Sequence, residues 1–135
     1  MTDAVLSPLD TDLSVHVDRL VSQPVGHLWE IAISPAGVEA WLGAGAVLGG
    51  KGEHWFAADG TLGVLRSYHA GEQIRVSWHA GEDAPATLVD LHVSRVDDSS
   101  TSLEIVHGHL YDGLDRDWLA DHWNRALERI DNDAL

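Results

Sequence analysis

The C-terminal segment of the chain predicts one long amphipathic helix, over about residues 112–131. Its apolar residues fall three and four positions apart and form one stripe, which consists of Leu119, Trp123, Ala126, Leu127 and Ile130. Asp112 is suited to cap the first turn, and Arg125 and Arg129 suit the negative end of the helix dipole. A helix with such a stripe needs an apolar surface to pack on, so the rest of the chain has to supply that surface.

The segments before this helix alternate between apolar and polar residues, which is typical of strands with one buried face. Strands are predicted over Asp12–Val21, Lys51–Ala57, Thr61–His69, Gln73–His79, Thr87–Val96 and Thr101–Leu110. Two short helices are predicted between the first two strands, one beginning at Ser22-Gln23-Pro24 and one at Ser34-Pro35. Short connections favour antiparallel pairing, so the predicted fold class is α+β, with an antiparallel sheet of about six strands covered by the C-terminal helix.

The charge balance is strongly acidic and excludes several kinds of partner. Eight Lys and Arg residues stand against 22 Asp and Glu residues, which gives a formal net charge of −14 at pH 7 with neutral histidines. Such a charge repels phosphate backbones and anionic lipids, so we expect no nucleic acid and no membrane as a partner. No apolar run approaches the roughly 20 residues of a membrane span, and the N-terminus lacks the features of a signal peptide.

The chain has 135 residues, six of them tryptophan, and no cysteine. This length fits one domain, which we expect over residues 12–135, after a flexible N-terminal arm at residues 1–11. The absence of cysteine excludes disulfides, thiolate metal sites and cysteine nucleophiles, and it suits the cytoplasm, where we expect the protein to be. The tryptophans indicate a core or a cavity with aromatic walls.

Three stretches of the chain match a known pattern in order and spacing. They are Arg19–Pro24 with Leu28-Trp29, Ser34-Pro35 and Trp41-Leu42; Gly63–Tyr68 with Ile74–Trp78; and Thr101–His107 with His122-Trp123 and Leu127. Together they resemble the START-like helix-grip superfamily, also called SRPBCC, over about residues 12–131. Within it they are most similar to the branch named after the activator of a heat-shock chaperone's ATPase.

The resemblance implies a helix-grip fold, in which a curved antiparallel sheet wraps around the C-terminal helix and leaves a cavity between them. Members of this superfamily bind lipids, polyketides, hormones or aromatic compounds, and some are enzymes. We therefore expect a hydrophobic or aromatic small molecule in that cavity, and no cofactor. In the branch's eukaryotic cochaperones a separate domain precedes this fold, whereas eleven residues precede the first predicted strand here. A chaperone partner is therefore not expected, while a homodimer is.

His107 is the main candidate for chemistry. It has the same parity as Leu103 and Ile105, so it is predicted to point inward, and the resemblance aligns it with a histidine of the family pattern. One interpretation is a ligand anchor, or the general acid or base of a cyclase, dehydratase or hydrolase. The other is a buried histidine that is simply hydrogen-bonded to a neighbour. Whether the protein is an enzyme stays open.

The other candidate ligand-binding residues would line the same cavity. They are Trp55, Tyr68, Val76, Trp78, Ile105, His109 and Trp118. For Trp78 the alternative is plain core packing, and for Trp118 it is a half-buried helix flank or a dimer contact. His107 and His109 form a His-X-His pair, but Gly108 can introduce a bulge that separates them. Because the spacing defines no third ligand, no metal is predicted.

Overall fold

The computed structural model describes residues 14–133. Within them, the strands are β1 (Val15–Val21), β2 (His54–Phe56), β3 (Leu62–His69), β4 (Gln73–Trp78), β5 (Thr87–Asp97) and β6 (Ser100–Gly108). The helices are α1 (Val25–Ile33), α2 (Pro35–Leu42) and α3 (Arg116–Asp133). The arm predicted at residues 1–11 lies outside the described residues. No helix within residues 14–133 is long and apolar enough to span a membrane.

The six strands form one antiparallel sheet in the order β1-β6-β5-β4-β3-β2. Its register brings five inward-facing residues into one row across the sheet, because Leu65 pairs with Val76, Val76 with Val89, Val89 with His107, and His107 with Val15. All five are buried. The sheet therefore places one imidazole in the middle of an otherwise apolar row.

Helix α3 covers this inward face, and it packs against α2 and β1 as well. The buried residues of α3 are the predicted stripe of Leu119, Trp123, Ala126, Leu127 and Ile130. The α+β class, the curved antiparallel sheet, the two short helices after the first strand and the long C-terminal helix are all confirmed. This is the helix-grip arrangement that the resemblance implied.

The N-terminal end of α3 differs from the prediction. Asp112 does not cap the helix, because Gly113 follows it with a φ of 106° and the chain turns there. Asp115 has the capping role, since its Oδ1 accepts the backbone N–H of Trp118 at 3.0 Å. The cap residue thus lies three positions later than predicted, and the helix begins at Arg116.

Two predicted strands are shorter in the structure. The strand predicted over residues 51–57 is reduced to His54–Phe56, because Gly50 and Glu53 close a turn and Gly52 has a φ of 88°. The strand predicted to end at Leu110 ends at Gly108, where His109 adopts a φ of 59°.

Gly63 on β3 is required by a close approach between three strands. The indole nitrogen of Trp55 on β2 donates to the carbonyl oxygen of Ser77 on β4 at 3.3 Å, across β3. A Cβ atom on Gly63 would lie 1.8 Å from that oxygen and 2.7 Å from the indole nitrogen. Only a residue without a side chain leaves room for this bond.

Replacing Gly63 with alanine should therefore lower the free energy of unfolding by about 1–3 kcal/mol or more, because backbone atoms have to move. Urea denaturation followed by tryptophan fluorescence measures the change. Gly108→Ala is the matched control within a strand, because its Cβ would meet no atom within 4 Å. A Gly63→Ala variant as stable as Gly108→Ala would contradict the close approach.

Candidate functional site

His107 is fully buried between the sheet and α3. Its Nε2 lies 2.7 Å from the hydroxyl oxygen of Thr87 on the neighbouring strand β5. Its Nδ1 accepts the indole N–H of Trp123 on α3 at 3.1 Å. Both ring nitrogens therefore bind protein groups, and the second bond joins the sheet to the helix.

The indole of Trp123 decides which nitrogen of His107 carries the proton. An indole N–H can only donate, so Nδ1 must accept and the neutral ring is protonated at Nε2. Nε2 then donates to Thr87, whose hydroxyl donates in turn to the backbone carbonyl of Trp78 at 2.7 Å. Each donor from Trp123 to Trp78 thus has an acceptor, and this buried network is complete.

Burial, and secondly the nearby charge of His122, lower the pKa of His107 from 6.5 to about 3. The ring is therefore neutral near pH 7. It has no free nitrogen with which to take a proton from a substrate or hold a ligand. Of the two interpretations drawn from the sequence, these contacts favour the hydrogen-bonded core histidine.

Five aromatic rings form a continuous line from the sheet across α3, which we call the aromatic ladder; in order they are Trp78, His107, Trp123, His122 and Trp118. Successive ring centroids are 4.8, 5.7, 4.7 and 4.8 Å apart. The first three contacts are edge-to-face, whereas Trp118 and His122 are stacked with their planes 11° apart. The inner three rings are buried, and Trp118 at the outer end is 52% exposed.

His122 was not among the residues predicted for the site. The signal was present in its spacing, because a residue four positions after Trp118 lies on the same helix face. Within residues 14–133, no group hydrogen-bonds either of its ring nitrogens. Burial lowers the pKa of His122, and the carboxylate of Asp59 partly opposes that shift. His122 is thus a half-buried imidazole, and neither of its nitrogens is hydrogen-bonded by a group of residues 14–133.

Asp59 lies in the turn between β2 and β3, and its charge acts on His122. Its Oδ1 accepts the backbone N–H and the hydroxyl of Thr61 at 3.0 and 2.7 Å. The turn also contacts the end of α2, where Ala58 donates to the carbonyl of Ala44 at 2.8 Å. The turn is therefore anchored to the segment that follows α2.

The structure divides the predicted cavity residues into two groups. A buried group within the core consists of Trp55, Val76, Trp78, Ile105 and His107. An exposed group consists of Tyr68, His109 and Trp118. Trp78 and Trp123 both contact His107, so two tryptophan side chains flank the imidazole for which the sequence predicted a ligand.

Two members of the exposed group lie apart from the ladder. Tyr68 pairs with Ile74, on the other side of the central row from Trp78, and its ring meets the edge of Trp29 at 5.6 Å. His109 follows the end of β6 with a positive φ and is exposed, so it does not share the buried face of His107. The structure thus separates His109 from His107, a point that the sequence left open, while Tyr68 lies opposite the buried Ile74 on the inner face of the sheet.

Other side-chain groups within residues 14–133 offer less. On the outer face of β1 and β6, ligand atoms of His16, Asp18 and Glu104 lie within 4.8 Å of one another, a cluster that the sequence analysis did not consider. Three donors are fewer than the four of a structural zinc site, so we assign no metal there. An apolar surface groove beside α2 measures about 160 Å³, which is below the roughly 300 Å³ of small ligand pockets.

Replacing His107 should change how stability depends on pH. The unfolded state takes up a proton at the ordinary pKa of 6.5, whereas the folded state resists protonation until pH about 3. The contribution of His107 to the free energy of unfolding is therefore fully present above its pKa in the unfolded state. It is lost as the pH falls from 6.5 towards 3, by about 2 kcal/mol between about pH 7.5 and about pH 5. Urea denaturation at the two pH values measures the loss.

His107→Gln should lack this part of the loss, because glutamine can accept from Trp123 but does not titrate. His109→Gln, which removes an exposed histidine, is the control and should keep it. Identical pH dependence in the wild type and His107→Gln would contradict the depressed pKa.

No family model and no curated protein matches this chain. The similarities found are to solved structures. CalU16 from Micromonospora echinospora matches with a TM-score of 0.73 at 18% identity, over 90% of this chain and 75% of CalU16. DynU16, from the dynemicin biosynthetic locus, matches with a TM-score of 0.72 at 19% identity, over 90% of this chain. This chain spans 46% of DynU16, about half its length.

The Aha1 dimer from Colwellia psychrerythraea has a TM-score of 0.70 at 12% identity, over 88% of this chain and 93% of that one. Identities this low show a shared fold and not a shared activity. With the sheet order, the covering helix and these structural matches, the chain has the START-like helix-grip fold.

Proposed function

We propose that this helix-grip protein binds a planar aromatic small molecule at the outer end of the aromatic ladder. The observation that carries the proposal is the stacked pair of Trp118 and His122, with their planes 11° apart and the indole 52% exposed. Because His122 covers one face of the indole, a conjugated ring that reaches the site would stack on the other face of Trp118. The binding site thus lies at the surface of α3, outside the core.

His122, stacked behind the indole, would supply the polar contact of the site at the edge of the pair. Its pKa is lowered, so the ring is neutral near pH 7, with one nitrogen able to donate and the other able to accept. Neither nitrogen has a partner within residues 14–133. Binding sites for small molecules commonly combine apolar walls with a few such polar groups.

The inner part of the ladder would hold this surface in place. Trp123 is fixed by its hydrogen bond to His107, and its ring meets the edge of His122 at a centroid distance of 4.7 Å. The outer pair therefore rests on a rigid, buried support, and little side-chain order has to be gained on binding.

The two alternative functions have less support. An enzyme with His107 as acid or base would need a free ring nitrogen, and both nitrogens are bound by Thr87 and Trp123. A chaperone-associated interaction role has only likeness of fold behind it, since the HSP90 activator from Plasmodium falciparum is 17% identical to this chain.

The remaining expectations stand as parts of the proposal. We expect one domain over residues 12–135, a cytoplasmic location in keeping with the absence of cysteine, and a homodimer. Native mass spectrometry of freshly purified protein, beside the denatured sample, reports both the oligomeric state and the mass of any retained compound.

Acridine tests the site directly, because it is planar, fluorescent and uncharged in mildly alkaline buffer. Wild type should bind it saturably, and Trp118→Ala should weaken binding by about tenfold to a hundredfold, the usual contribution of one aromatic stacking partner. Fluorescence titration measures both affinities.

Phe56→Ala is the matched control for this titration. Phe56 is 64% exposed and stacks on His54 with an angle of 18°, but it lies on the opposite face of the sheet from the buried Trp55. This variant should bind acridine as wild type does. Equal affinities in wild type and Trp118→Ala, or no saturable binding by wild type, would rule out the proposed site.

A further inference from the structure

Strand β1 is an open edge of the sheet. It pairs with β6 on one side, from Val15 opposite His107 to Val21 opposite Thr101, and the register has no shift along these seven residues. Within residues 14–133 no strand lies on its second side. Folded proteins often block such an edge with a proline, a bulge or a covering segment, and β1 contains neither a proline nor a bulge.

The second side of β1 carries backbone groups without partners. The amide of Val93 donates to the carbonyl oxygen of Glu72 at 2.9 Å, which identifies the residues of β5 that bond to β4. Alternate residues of an antiparallel strand bond to alternate neighbours, so the register across β5 and β6 also decides which residues of β1 bond to β6. The N–H and C=O groups that point away from β6 are those of His16, Asp18 and Leu20. No group of residues 14–133 binds them.

A groove of about 320 Å³ lies between this edge and the covering helix. Polar and charged side chains of both elements line it, namely Asp18 and Arg19 of β1 and Asp121, Asn124, Arg125 and Glu128 of α3. The side chain of Arg19 also donates from Nε to Oδ2 of Asp131 at 2.6 Å, which joins the edge to the helix. An extended segment placed beside β1 would therefore meet free backbone groups on the sheet and a second wall on α3.

The charges that stay unpaired beside the edge are negative. Both arginines of the groove form ion pairs, whereas Asp18 and Glu128 form none within residues 14–133. On the outer face of the sheet Asp18 lies opposite Glu104, whose carboxylate binds the ring of His16, and the ligand atoms of the three side chains are within 4.8 Å of one another. In a chain with a net charge of −14, such an edge repels an acidic partner or a second copy of the chain and attracts a basic one.

We propose that β1 and the groove beside it bind an extended, basic peptide segment of a partner protein, which joins the sheet as a seventh strand. Backbone hydrogen bonds to His16, Asp18 and Leu20 would supply affinity, as in other cases of strand addition. Lysine or arginine side chains beside Asp18 and Glu128 would supply specificity. The proposal does not depend on the small-molecule site, because Trp118 does not line the groove.

A capped peptide of the sequence Thr-Lys-Val-Lys-Val-Lys-Thr, labelled with a neutral fluorophore, tests the surface by fluorescence anisotropy. Wild type at low salt should bind it saturably, and the same peptide with glutamate in place of lysine should not bind. Asp18→Asn should weaken binding of the lysine peptide by up to about fivefold, because it removes one unpaired acid. Glu72→Gln removes an exposed acid at the turn between β3 and β4 and is the control for net charge, so it should bind as wild type does.

Leu20→Pro separates strand pairing from simple charge attraction. Proline removes one of the free N–H groups, and the strand tolerates it because that N–H points away from β6. The lysine peptide should bind about tenfold more weakly, since one backbone hydrogen bond is lost and the ring crowds the added strand. Leu20→Ala is the matched control. It keeps the N–H, and the side chain it shortens is 64% exposed, so this variant should bind as wild type does.

Amide hydrogen exchange on wild type gives a readout that needs no variant. In the free protein the amides of His16, Asp18 and Leu20 should exchange fast and those of Val17 and Arg19 slowly, and the lysine peptide should slow the first set. Slow exchange of the first set without peptide would overturn the proposal, because another part of the chain or a second copy would then occupy the edge. Equal binding of both peptides, or equal binding of the lysine peptide by wild type and a folded Leu20→Pro variant, would overturn it as well.

Discussion

A single buried hydrogen bond, from the indole of Trp123 to Nδ1 of His107, connects the covering helix to the middle of the sheet. Apolar packing is non-directional and would tolerate small shifts of α3 along the sheet. The hydrogen bond does not tolerate such shifts, because a displaced helix would leave a buried donor and a buried acceptor unpaired. Each unpaired group costs about 1–3 kcal/mol. It therefore fixes the position of the helix and the tautomer of the imidazole together.

The same bond determines what the outer surface of α3 can offer. Once Trp123 is fixed, its ring provides the edge against which His122 packs, and His122 provides the face on which Trp118 stacks. The two ends of the ladder therefore have different roles. The inner end has its polar atoms hydrogen-bonded and supports the fold. At the outer end the indole is exposed, and no group of residues 14–133 binds the imidazole nitrogens.

Periodicity was enough to predict the architecture, because alternation and helical spacing report which side of each element is buried. It also predicted that His107 points inward, from the parity of Leu103 and Ile105, and that Trp123 lies in the buried stripe of α3. Periodicity does not report which inward residues meet. The bond between His107 and Thr87 depends on the strand register. The bond between His107 and Trp123 depends on the position of α3 along the sheet.

The same limit explains the differences at the site. The sequence left open whether His107 meets a ligand or a neighbouring residue, because spacing cannot tell which groups its ring nitrogens bind. The spacing placed His122 on the Trp118 face of the helix, but His122 was left out of the predicted site because its contacts with two tryptophans cannot be seen in the sequence. Asp59 was not considered, since it belongs to a turn distant in sequence from α3. Whether His109 shares the face of His107 could not be decided from the sequence, because the positive φ that ends the strand at His109 leaves no mark in the alternation.

The most direct test is a proton–nitrogen NMR spectrum of the indole N–H groups, recorded with and without acridine. Six tryptophans give six such signals. Binding at the outer end of the ladder predicts that the Trp118 signal shifts with added dye, while the Trp123 signal keeps its hydrogen-bonded position. A shifted Trp123 signal with an unchanged Trp118 signal would contradict this, because the dye would then have entered between the helix and the sheet and displaced the bond to His107.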